Sequence, residues 1–573
     1  MNLARIELNT ETIKFEEIQE NSKYFLLGAR GLTSQILYDE IDPKCDPLGE
    51  ENKLIIANGL FSGTPFPNSG RSSVGGKSPL TNGIKEANVG GRPGIMLASH
   101  GIRALIFEGQ AKSPKLIVID NDGIKIKNAE NYQYLGNYEL HKKLTEIYGN
   151  KIGIYSIGPA GEYLFRNSTV AANDLEGYPS RHAARGGLGA VMGSKGVKTV
   201  VIKPAKKSSV KIKNIKKFRE ITKPFAKELA TSKKTFSIYG TPLLVDAMSQ
   251  YGGLPTKNFR SGSYEEVEKI SGEKLHEIVT ERNGRKRVAC SPTCVVRCSN
   301  VVLDEKGRHI TSSLEYETIA LNGSNLLIND IDALAKIDHM CDDSGIDTIE
   351  FGVTMGVAMD NGEVKWGDSQ KVLELLDEIK KGSEIGKLYG NGVVYLSEKI
   401  GAKRVPQVKG QGISGYDPRV FKGMSVTFAT SPMGADHTAG AAIAGRKADN
   451  NKNYGELTED ENKLDLSYEL QVYTVVLDSL GTCYFIGPSF QNMDLIAKAL
   501  SAMYELDISQ EQVIQIGKDI LKTELKFNKE AGITEKDNRL PEFFRKEPSH
   551  PFDLTVTFPD KELKSFWKRL NGI

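Results

Sequence analysis

Two short segments of the sequence share one arrangement of chemically useful residues. Both read D-x-x-G-x-[D/C], at residues 342–347 and 478–483, and both follow a stretch with helical apolar spacing. Each pairs a carboxylate with a glycine that can adopt the positive φ found where helices end. A carboxylate accepts two parallel N–H bonds, which suits the aminopyrimidinone edge of a pterin or a guanine. One such hexapeptide would be an ordinary helix C-terminus, but two copies beside the cysteines below indicate a binding function.

Four of the six cysteines are spaced like metal ligands. Cys290, Cys294 and Cys298 form C-x3-C-x3-C, and Cys483 ends the second hexapeptide. Three close thiolates and one remote thiolate are a common ligand set for a [4Fe-4S] cluster. A zinc site usually uses two short pairs, and a radical S-adenosylmethionine enzyme would use C-x3-C-x2-C. We therefore favour an iron–sulfur cluster, with zinc and inert buried thiols as the alternatives.

The position of Cys483 matters as much as the count. It follows Asp478 by five residues, so a cluster and a bound heterocycle would lie side by side, as electron transfer requires. The other two cysteines are not predicted ligands. Cys341 lies on an apolar helical face and is expected to pack in a core.

The elements that must position these residues change in character along the chain. Short β-like runs and turns fill the first third, and longer amphipathic helices follow. We predict an α+β fold in which a β-rich, cofactor-cradling N-terminal domain precedes two mainly α-helical domains. The predicted domains are residues 1–208, residues 209–405 with three cluster cysteines and the first hexapeptide, and residues 406–573 with the second hexapeptide and the fourth cysteine.

Composition excludes several classes of protein. The 573 residues include 75 basic and 73 acidic side chains, a net charge of +2, which gives no footprint for nucleic acid. No apolar run approaches the roughly 20 residues of a membrane span. The opening residues alternate like a first strand and lack the core of a signal peptide. We expect a protein of the cytoplasm.

A glycine-rich segment at residues 186–193 resembles two phosphate-binding motifs without matching either. The order Ser194-Lys195 is wrong for a Walker loop, and the glycine spacing is wrong for a dinucleotide fingerprint. Backbone without side chains can still approach a phosphate closely, and Arg185 supplies charge. A tight packing loop remains the alternative.

Several longer stretches together resemble the aldehyde ferredoxin oxidoreductase family, whose members carry tungsten or molybdenum on two pyranopterins. The resemblance runs essentially from end to end. Beside both hexapeptides, it rests on residues 70–71, 77–81, 88–90, 184–195, 315–318 and 416–419.

The resemblance implies roles for individual residues. A [4Fe-4S] cluster would be held by Cys290, Cys294, Cys298 and Cys483, and a magnesium ion would be coordinated by Asn88. The bis-pyranopterin would be bound by Arg71, Asn88, Gly90, Arg185, Gly186, Gly187, Asp342, Ile346, Asp347, Asp478, Thr482 and Cys483.

The same resemblance assigns catalysis to Glu317 and His437. Glu315 and Glu317 are two apart in a helical stretch, so at most one faces a given pocket. Glu317 would be the active-site carboxylate and His437 a donor to the substrate. A solvated helical glutamate and an ordinary loop histidine are the alternatives.

The sequence also departs from the family pattern. The first two cluster cysteines are usually spaced C-x2-C, which indicates altered local geometry here. Some members bridge two subunits with iron held by E-x-x-H, but Lys336 stands where that glutamate belongs. Any homo- or hetero-oligomer would therefore lack the bridging iron. Residues 409–414 keep the lysine and glycine of the family's K-G-x-E-x-P but lack its glutamate and proline, and Met433 replaces a frequent arginine.

The resemblance implies oxidation of a small-molecule aldehyde to its carboxylic acid, with electrons passing to ferredoxin or to an iron–sulfur partner subunit. Two alternatives remain: a related reductase acting on aromatic-ring coenzyme A esters, and a non-catalytic iron–sulfur scaffold. The sequence does not decide between tungsten and molybdenum, nor does it identify the aldehyde, the electron acceptor, the oligomeric state or the direction of catalysis.

Overall fold

The structure is a computed structural model that describes residues 1–443 and 447–570. Most of its strands lie in the first third of the chain, as the sequence predicts. The strands are β1 (Asn2–Glu7), β2 (Thr12–Glu17), β3 (Leu54–Asn58), β4 (Ser72–Lys77), β5 (Ile84–Val89), β6 (Ile102–Glu108), β7 (Lys115–Asp120), β8 (Gly123–Asn128), β9 (Gly153–Ser156), β10 (Val170–Ala172), β11 (Arg181–Ala183), β12 (Val197–Ile202), β13 (Arg285–Val288), β14 (Ser299–Leu303), β15 (His309–Ser312), β16 (Gln407–Val408) and β17 (Gln411–Gly412).

Helices dominate after β12. The helices are α1 (Ala29–Glu40), α2 (Pro93–Ser99), α3 (Asn137–Tyr148), α4 (Pro159–Glu162), α5 (Leu188–Ser194), α6 (Ile215–Ser232), α7 (Lys234–Tyr239), α8 (Leu244–Gln250), α9 (Gly272–Glu281), α10 (Tyr316–Asn322), α11 (Ile331–Ser344), α12 (Thr348–Asp360), α13 (Ser369–Lys381), α14 (Glu384–Gly390), α15 (Gly392–Ile400), α16 (Lys422–Thr430), α17 (Lys463–Leu480), α18 (Phe490–Tyr504), α19 (Gln510–Glu530), α20 (Phe543–Lys546) and α21 (Asp560–Lys564). This order confirms the predicted fold class.

The chain packs as two units, and each is built from separate stretches of sequence. The first contains residues 1–233, 289–296 and 472–532, and the second contains residues 234–288, 297–471 and 533–573. The predicted boundaries near residues 208 and 405 stay predictions.

Two mixed six-stranded sheets form the core of the first unit. Their strand orders are β2-β1-β6-β3-β4-β5 and β11-β10-β9-β12-β7-β8, with β1 parallel to β6 and β7 parallel to β12. Side chains of both sheets share one apolar core, and helices α1 and α3 cover further cores on the outer faces.

Strand β3 shows why these strands read as continuous apolar runs. Leu54 and Ile56 enter the core shared by the sheets, whereas Ile55 and Ala57 face the core beneath α1. Alternate side chains of a strand point to opposite faces, so a strand covered on both sides must be apolar at every position.

Helix α12 is central to the second unit. Eleven of its residues, from Ile349 through Met359, are buried, and it packs against α10 and α15. Gly352 permits the close approach to α10, because a Cβ there would lie 2.6 Å from the carbonyl oxygen of Leu321. A helix that is apolar on all sides belongs in an interior.

No helix within the described residues is long and apolar enough to cross a membrane.

Candidate functional site

Both hexapeptides end a helix with a left-handed glycine, as predicted. Gly345 has φ of +75° and follows α11, and Gly481 has φ of +69° and follows α17. At the first, the amides of Gly345 and Ile346 both donate to the Cys341 carbonyl at 2.8 Å. Each aspartate therefore lies in the last turn of its helix, and the chain turns three residues later, at the glycine.

The second hexapeptide is held by backbone contacts in the first unit. The Phe61 amide donates to the Leu480 carbonyl at 3.1 Å, and the Arg71 amide donates to the Gly481 carbonyl at 3.0 Å. Gly59 and Gly481 lie back to back, so that a Cβ on Gly59 would collide with the Gly481 amide. Neither glycine could therefore carry a side chain without a shift of the backbone.

Arg71 connects this turn to strand β5. Its Nε donates to Oδ1 of Asn88, and its Nη2 lies 3.5 Å from the Asn88 carbonyl oxygen. Within the described part of the chain, the buried Nδ2 of Asn88 has no hydrogen-bond partner. A Cβ on Gly90 would contact both the Arg71 guanidinium and Cys290. Sequence analysis predicts Arg71, Asn88 and Gly90 as cofactor contacts, and the structure brings them together beside a predicted cluster cysteine.

Asn68 joins the segment that carries two cluster cysteines to the turn that carries Cys483. Its amide donates to the Thr293 carbonyl at 2.9 Å, and its Oδ1 accepts from the Val295 amide at 2.7 Å. Its carbonyl accepts from the Cys483 amide at 2.8 Å. Asn68 is buried and adopts φ of +54°, a conformation that asparagine tolerates better than most residues. No sequence pattern identifies Asn68, because its partners are remote in sequence.

The environment of Cys290 favours a thiolate. A hydrogen bond from Cys294 lowers the pKa of Cys290 well below its usual range, burial opposes that shift, and Arg71 and Arg181 lower it further. Thiolates are the form that binds metal. The Nδ2 of Asn68 is a buried donor with no partner among the described residues, next to the cysteine segments. These features fit an anionic iron–sulfur cluster.

The predicted ligands are divided between the two units. Cys290, Cys294 and Cys483 belong to the first unit and Cys298 to the second. No group of three or more His, Cys, Asp or Glu side chains in residues 1–443 and 447–570 is arranged to hold a single metal ion.

Cys341 is buried, as expected for a packing residue, and Cys45, for which no packing role was predicted, is buried in the core beneath α1. Burial raises the pKa of Cys341 well above its usual range, and it also raises the pKa of Cys45. Both therefore stay protonated thiols.

Asp478 is part of a buried charge cluster. The Arg30 guanidinium donates to Asp478 Oδ2 at 3.1 Å and makes two 2.9 Å bonds to Glu524. Nearby, burial and then the charge of Asp478 raise the pKa of Glu86 to about 8. None of Arg30, Glu86 and Glu524 was predicted as a site residue. Arg30, for example, is 448 positions from Asp478 in the sequence, so no local pattern links the two.

Thr482 uses its side chain locally. Its hydroxyl donates to the Leu477 carbonyl at 2.9 Å and so helps to close α17. This places the side chain in the helix cap, while its role as a cofactor contact stays a prediction.

The glycine-rich segment is tightly packed. Gly186 and Gly187 have φ of +88° and +75°, and Gly187 lies at the start of α5. A Cβ on Gly186 would collide with Lys85, and one on Gly187 with the Arg166 carbonyl. Arg185 is buried beside them. Packing alone therefore requires both glycines, and phosphate binding by this segment stays a prediction.

In the second unit, Asp342 lies one helical turn after another acid. Asp338 Oδ2 accepts from Thr311 at 2.6 Å, and its Oδ1 accepts from Thr318 at 3.2 Å. Burial, and then the charge of Asp342, raise the pKa of Asp338 well above its usual range. The spacing of four residues on α11 is a signal that could have identified Asp338 as a neighbour of Asp342.

Ile346 and Asp347 complete the first hexapeptide. Both are buried, and Asp347 Oδ1 accepts from the Ile349 amide at 3.0 Å, which caps α12. Asp347 therefore has a structural role, and its contact with a cofactor stays a prediction.

Glu317 and His437 lie together in the second unit. Glu317 Oε1 is 3.4 Å from His437 Nδ1, and Glu317 Oε2 accepts from the Gly415 amide at 2.7 Å. The Tyr416 ring lies 5.9 Å from that of His437. Glu315 faces a different set of partners, the hydroxyls of Thr241 and Ser313. The structure thus pairs the two predicted catalytic residues and separates the two glutamates.

Two family models cover nearly the whole chain. The N-terminal domain of aldehyde ferredoxin oxidoreductase matches residues 3–204, and domains 2 and 3 of the same enzyme match residues 219–569. The matches and the fold define an oxidoreductase. The chain belongs to the aldehyde ferredoxin oxidoreductase family, whose tungsten-containing members imply a tungsten pterin cofactor.

Individual relatives agree with this assignment. The chain is 33% identical to the tungsten-containing aldehyde ferredoxin oxidoreductase of Pyrococcus furiosus over 95% of this chain and 91% of that protein. It is 32% identical to the enzyme of the same name from Thermococcus kodakarensis, with the same coverage. It is also 28% identical to the aliphatic sulfonate oxidoreductase, WOR-like subunit, of P. furiosus, over 89% of this chain and 82% of that one.

A solved structure has the same fold. The active site complex BamBC of benzoyl coenzyme A reductase, in complex with 1,5-dienoyl-CoA, superposes with a TM-score of 0.81. It covers 100% of this chain and 94% of that chain at 18% sequence identity, which supports the fold and not the substrate.

Proposed function

We propose that this enzyme oxidises an aldehyde to a carboxylic acid and passes the two electrons, one at a time, to ferredoxin or an iron–sulfur partner subunit. The observation that carries the proposal is the Glu317–His437 pair, with Nδ1 and Oε1 3.4 Å apart. In balance, an aldehyde and water give a carboxylic acid, two protons and two electrons.

The side chains and backbone groups that are present determine which residues would hold each cofactor. Asp342 and Asp478 would each hold one pterin through paired hydrogen bonds, with Ile346, Asp347 and Thr482 in the same turns. Arg71, Gly90, Arg185, Gly186 and Gly187 would line the phosphates, and Asn88 would bind magnesium. Cys290, Cys294, Cys298 and Cys483 would hold a [4Fe-4S] cluster. A pterin-bound tungsten or molybdenum, when present, supplies a two-electron acceptor.

Glu317 is the proposed general base. The Gly415 amide fixes Oε2, which leaves Oε1 directed at His437. Oε1 would take a proton from water or from the aldehyde hydrate. Its side chain is 14% exposed, so few waters compete for this oxygen.

His437 is the proposed donor to the substrate oxygen. Its 3.4 Å separation from Glu317 Oε1 is long for a strong hydrogen bond and leaves the ring able to engage a ligand. Donation to the substrate oxygen stabilises the charge that develops there.

Metal analysis and dye reduction test the proposal. Anaerobically purified protein should contain tungsten or molybdenum and about four irons per chain, and it should reduce benzyl viologen with at least one member of an aldehyde panel. Glu317→Gln should lower kcat at least about 100-fold, while the matched Glu315→Gln should retain most activity. Iron without tungsten or molybdenum would support a scaffold instead. Full metal content with no aldehyde oxidation would favour a related reductase.

Three cysteine variants test the cluster ligands. Cys483→Ser should reduce iron content and alter the low-temperature EPR signal of the reduced cluster. Cys341→Ser and Cys45→Ser are the controls and should leave both unchanged, because these thiols are buried in apolar cores. An unchanged signal in Cys483→Ser, or its loss in Cys341→Ser, would reverse the ligand assignment.

A further inference from the structure

A strongly basic surface lies between the last strand of the second sheet and the end of α6. Residues 206–228 contain nine lysines and arginines but only two glutamates, in a chain whose net charge is +2. All nine cationic side chains are exposed. Two of the nine have acidic neighbours: Lys213 pairs with Glu20 at 3.2 Å, and Lys217 lines a groove that also contains four acidic side chains. The remaining positive charge of α6 lies on its other face.

Four of these cations form one face of α6. Lys216, Arg219, Lys223 and Lys227 follow at steps of three, four and four residues, on the side of α6 that faces away from its buried side chains. We call these four residues the basic stripe. In the described part of the chain, none of them forms an ion pair with an acidic side chain. Like charges at this spacing cost a helix about 0.2–0.5 kcal/mol per pair, so the stripe opposes the helix's own stability.

The buried side of α6 packs on the loop at residues 61–68. This loop contains Asn68, which bonds to the two segments that carry the cysteines. Phe218 contacts the rings of Phe61 and Phe66 at 5.9 and 6.4 Å, and Phe225 contacts Phe66 at 6.0 Å. Asn68 follows Phe66 by two residues and bonds to the backbone beside Cys294 and to that of Cys483. One layer of aromatic side chains and one short loop therefore connect the basic stripe to the cysteine segments.

We propose that the basic stripe is the docking surface for an acidic iron–sulfur electron carrier. This inference rests on the proposed function and deepens it, by stating where the partner binds and by which charge. A [4Fe-4S] cluster held by these cysteines would supply one-electron transfer, so each aldehyde oxidised would reduce two one-electron carriers. Opposite charges accelerate such encounters and orient the partners, and the stripe directs the carrier to the face that backs onto the cluster ligands.

A charge-neutral variant tests the proposal in the holoenzyme. The basic stripe is replaced together as Lys216→Gln, Arg219→Gln, Lys223→Gln and Lys227→Gln. The matched control replaces four exposed lysines elsewhere in the first unit, Lys112→Gln, Lys127→Gln, Lys142→Gln and Lys151→Gln. An acidic bacterial [4Fe-4S] ferredoxin is the probe, its binding is measured by calorimetry, and aldehyde-dependent reduction of ferredoxin and of benzyl viologen is measured at low and high ionic strength.

The stripe variant should lose at least about tenfold in kcat/KM for ferredoxin at low salt, mainly through KM, and most of its salt dependence. Its viologen reduction should match wild type, and the control variant should keep both activities. Equal losses in the two variants, unchanged ferredoxin kinetics in the stripe variant, or no ferredoxin binding by wild type would each overturn the proposal. Stripe-dependent binding to phosphatidylserine vesicles with unaffected ferredoxin binding would also overturn it.

The two proposals can fail separately. Wild type that binds ferredoxin through the stripe but reduces no dye with any aldehyde refutes the proposed reaction and leaves the docking surface supported. Wild type that reduces viologen with an aldehyde, but whose ferredoxin kinetics ignore the stripe, refutes only the docking surface.

Discussion

The two hexapeptides have one backbone design and two different electrostatic surroundings. Each ends a helix at a left-handed glycine, with φ of +75° at Gly345 and +69° at Gly481. Beside Asp342 lies a second acid, Asp338, whose oxygens accept from threonine hydroxyls. Beside Asp478 lies a cation, Arg30, which Glu524 fixes with two bonds.

This difference shows which part of a binding motif is local. The glycine and the helix before it set the backbone, and both are read from neighbouring residues. The charge next to the acid comes from whichever element packs there, which is α11 itself at Asp342 and the remote helix α1 at Asp478. Two copies of one motif can therefore place one carboxylate next to a second acid and the other next to a cation.

The largest expected loss of stability follows replacement of Arg30, the cation beside Asp478. Arg30→Met should destabilise the protein by about 3–5 kcal/mol, because the fully buried Glu524 would keep its charge without its main partner. Arg282→Met is the control, since its pair with Asp332 is 17% and 31% exposed and should contribute about 1 kcal/mol or less. Chemical denaturation of both variants measures this. Equal losses would mean that Arg30 does not anchor the second hexapeptide.

Loss of either hexapeptide acid should remove cofactor. Asp478→Ala and Asp342→Ala each leave buried donors of a pterin unpaired, at about 2–5 kcal/mol, so both proteins should be isolated poor in pterin. Asp343→Ala is the matched control, because Asp343 adjoins Asp342 but pairs with Lys380 at 2.6 Å. Pterin and metal content are measured after anaerobic purification. Full occupancy in Asp478→Ala would remove the assignment of that residue.

Replacing the glycine of each turn by alanine should cost different amounts of stability at the two hexapeptides. Gly345→Ala should cost about 1–2 kcal/mol from its left-handed φ alone. Gly481→Ala should cost about 1–3 kcal/mol more, since its Cβ would lie 2.6 Å from the Arg71 carbonyl oxygen and 2.9 Å from Gly59 Cα. Thermal unfolding of the two variants gives the comparison. If Gly345→Ala is the more damaging, the packing argument at Gly481 fails.

The sequence predicted the elements well, because their signals are local. Apolar runs such as that of β3 and the amphipathic spacing of α13 appear in the printed residues. The helix ends at Gly345 and Gly481 were also predicted, since positive φ strongly favours glycine. Glu315 and Glu317 were expected in one helical stretch, but α10 begins at Tyr316, so Glu315 lies at the N-cap and Glu317 inside the helix.

The charges around the site could not be predicted in the same way. Arg30 and Asn68 act on residues more than 200 positions away, and nothing in their own neighbourhoods indicates this. Glu317 and His437 were found through resemblance and not through spacing, and the structure places them 3.4 Å apart. Local patterns specify backbone, whereas tertiary packing decides which charges meet.

The last expected effect is the pH dependence that Glu86 gives to the stability of the second hexapeptide region. Its pKa in the folded protein is about 8, raised by burial and by Asp478, against a usual value of 4.5. Between these values the folded state keeps the proton and the unfolded state releases it. Stability should therefore fall as pH rises from about 4.5 to about 8, by at most about 1.4 kcal/mol per pH unit, and should show no further Glu86 dependence above that window.

Glu86→Gln tests this sign. The amide keeps an oxygen that can accept from Ser73, and it carries no charge at any pH. The variant should match wild type near pH 5 and become the more stable protein near pH 8, because only the wild type has a proton to lose beside Asp478. Asp338→Asn should behave in the same direction beside Asp342, since burial and that acid raise the pKa of Asp338 as well. Denaturation midpoints between pH 5 and pH 8 measure both differences. Parallel pH profiles for wild type and Glu86→Gln would show that Glu86 does not hold a proton in the folded protein, and the contrast between the two hexapeptide regions would then rest on Arg30 alone.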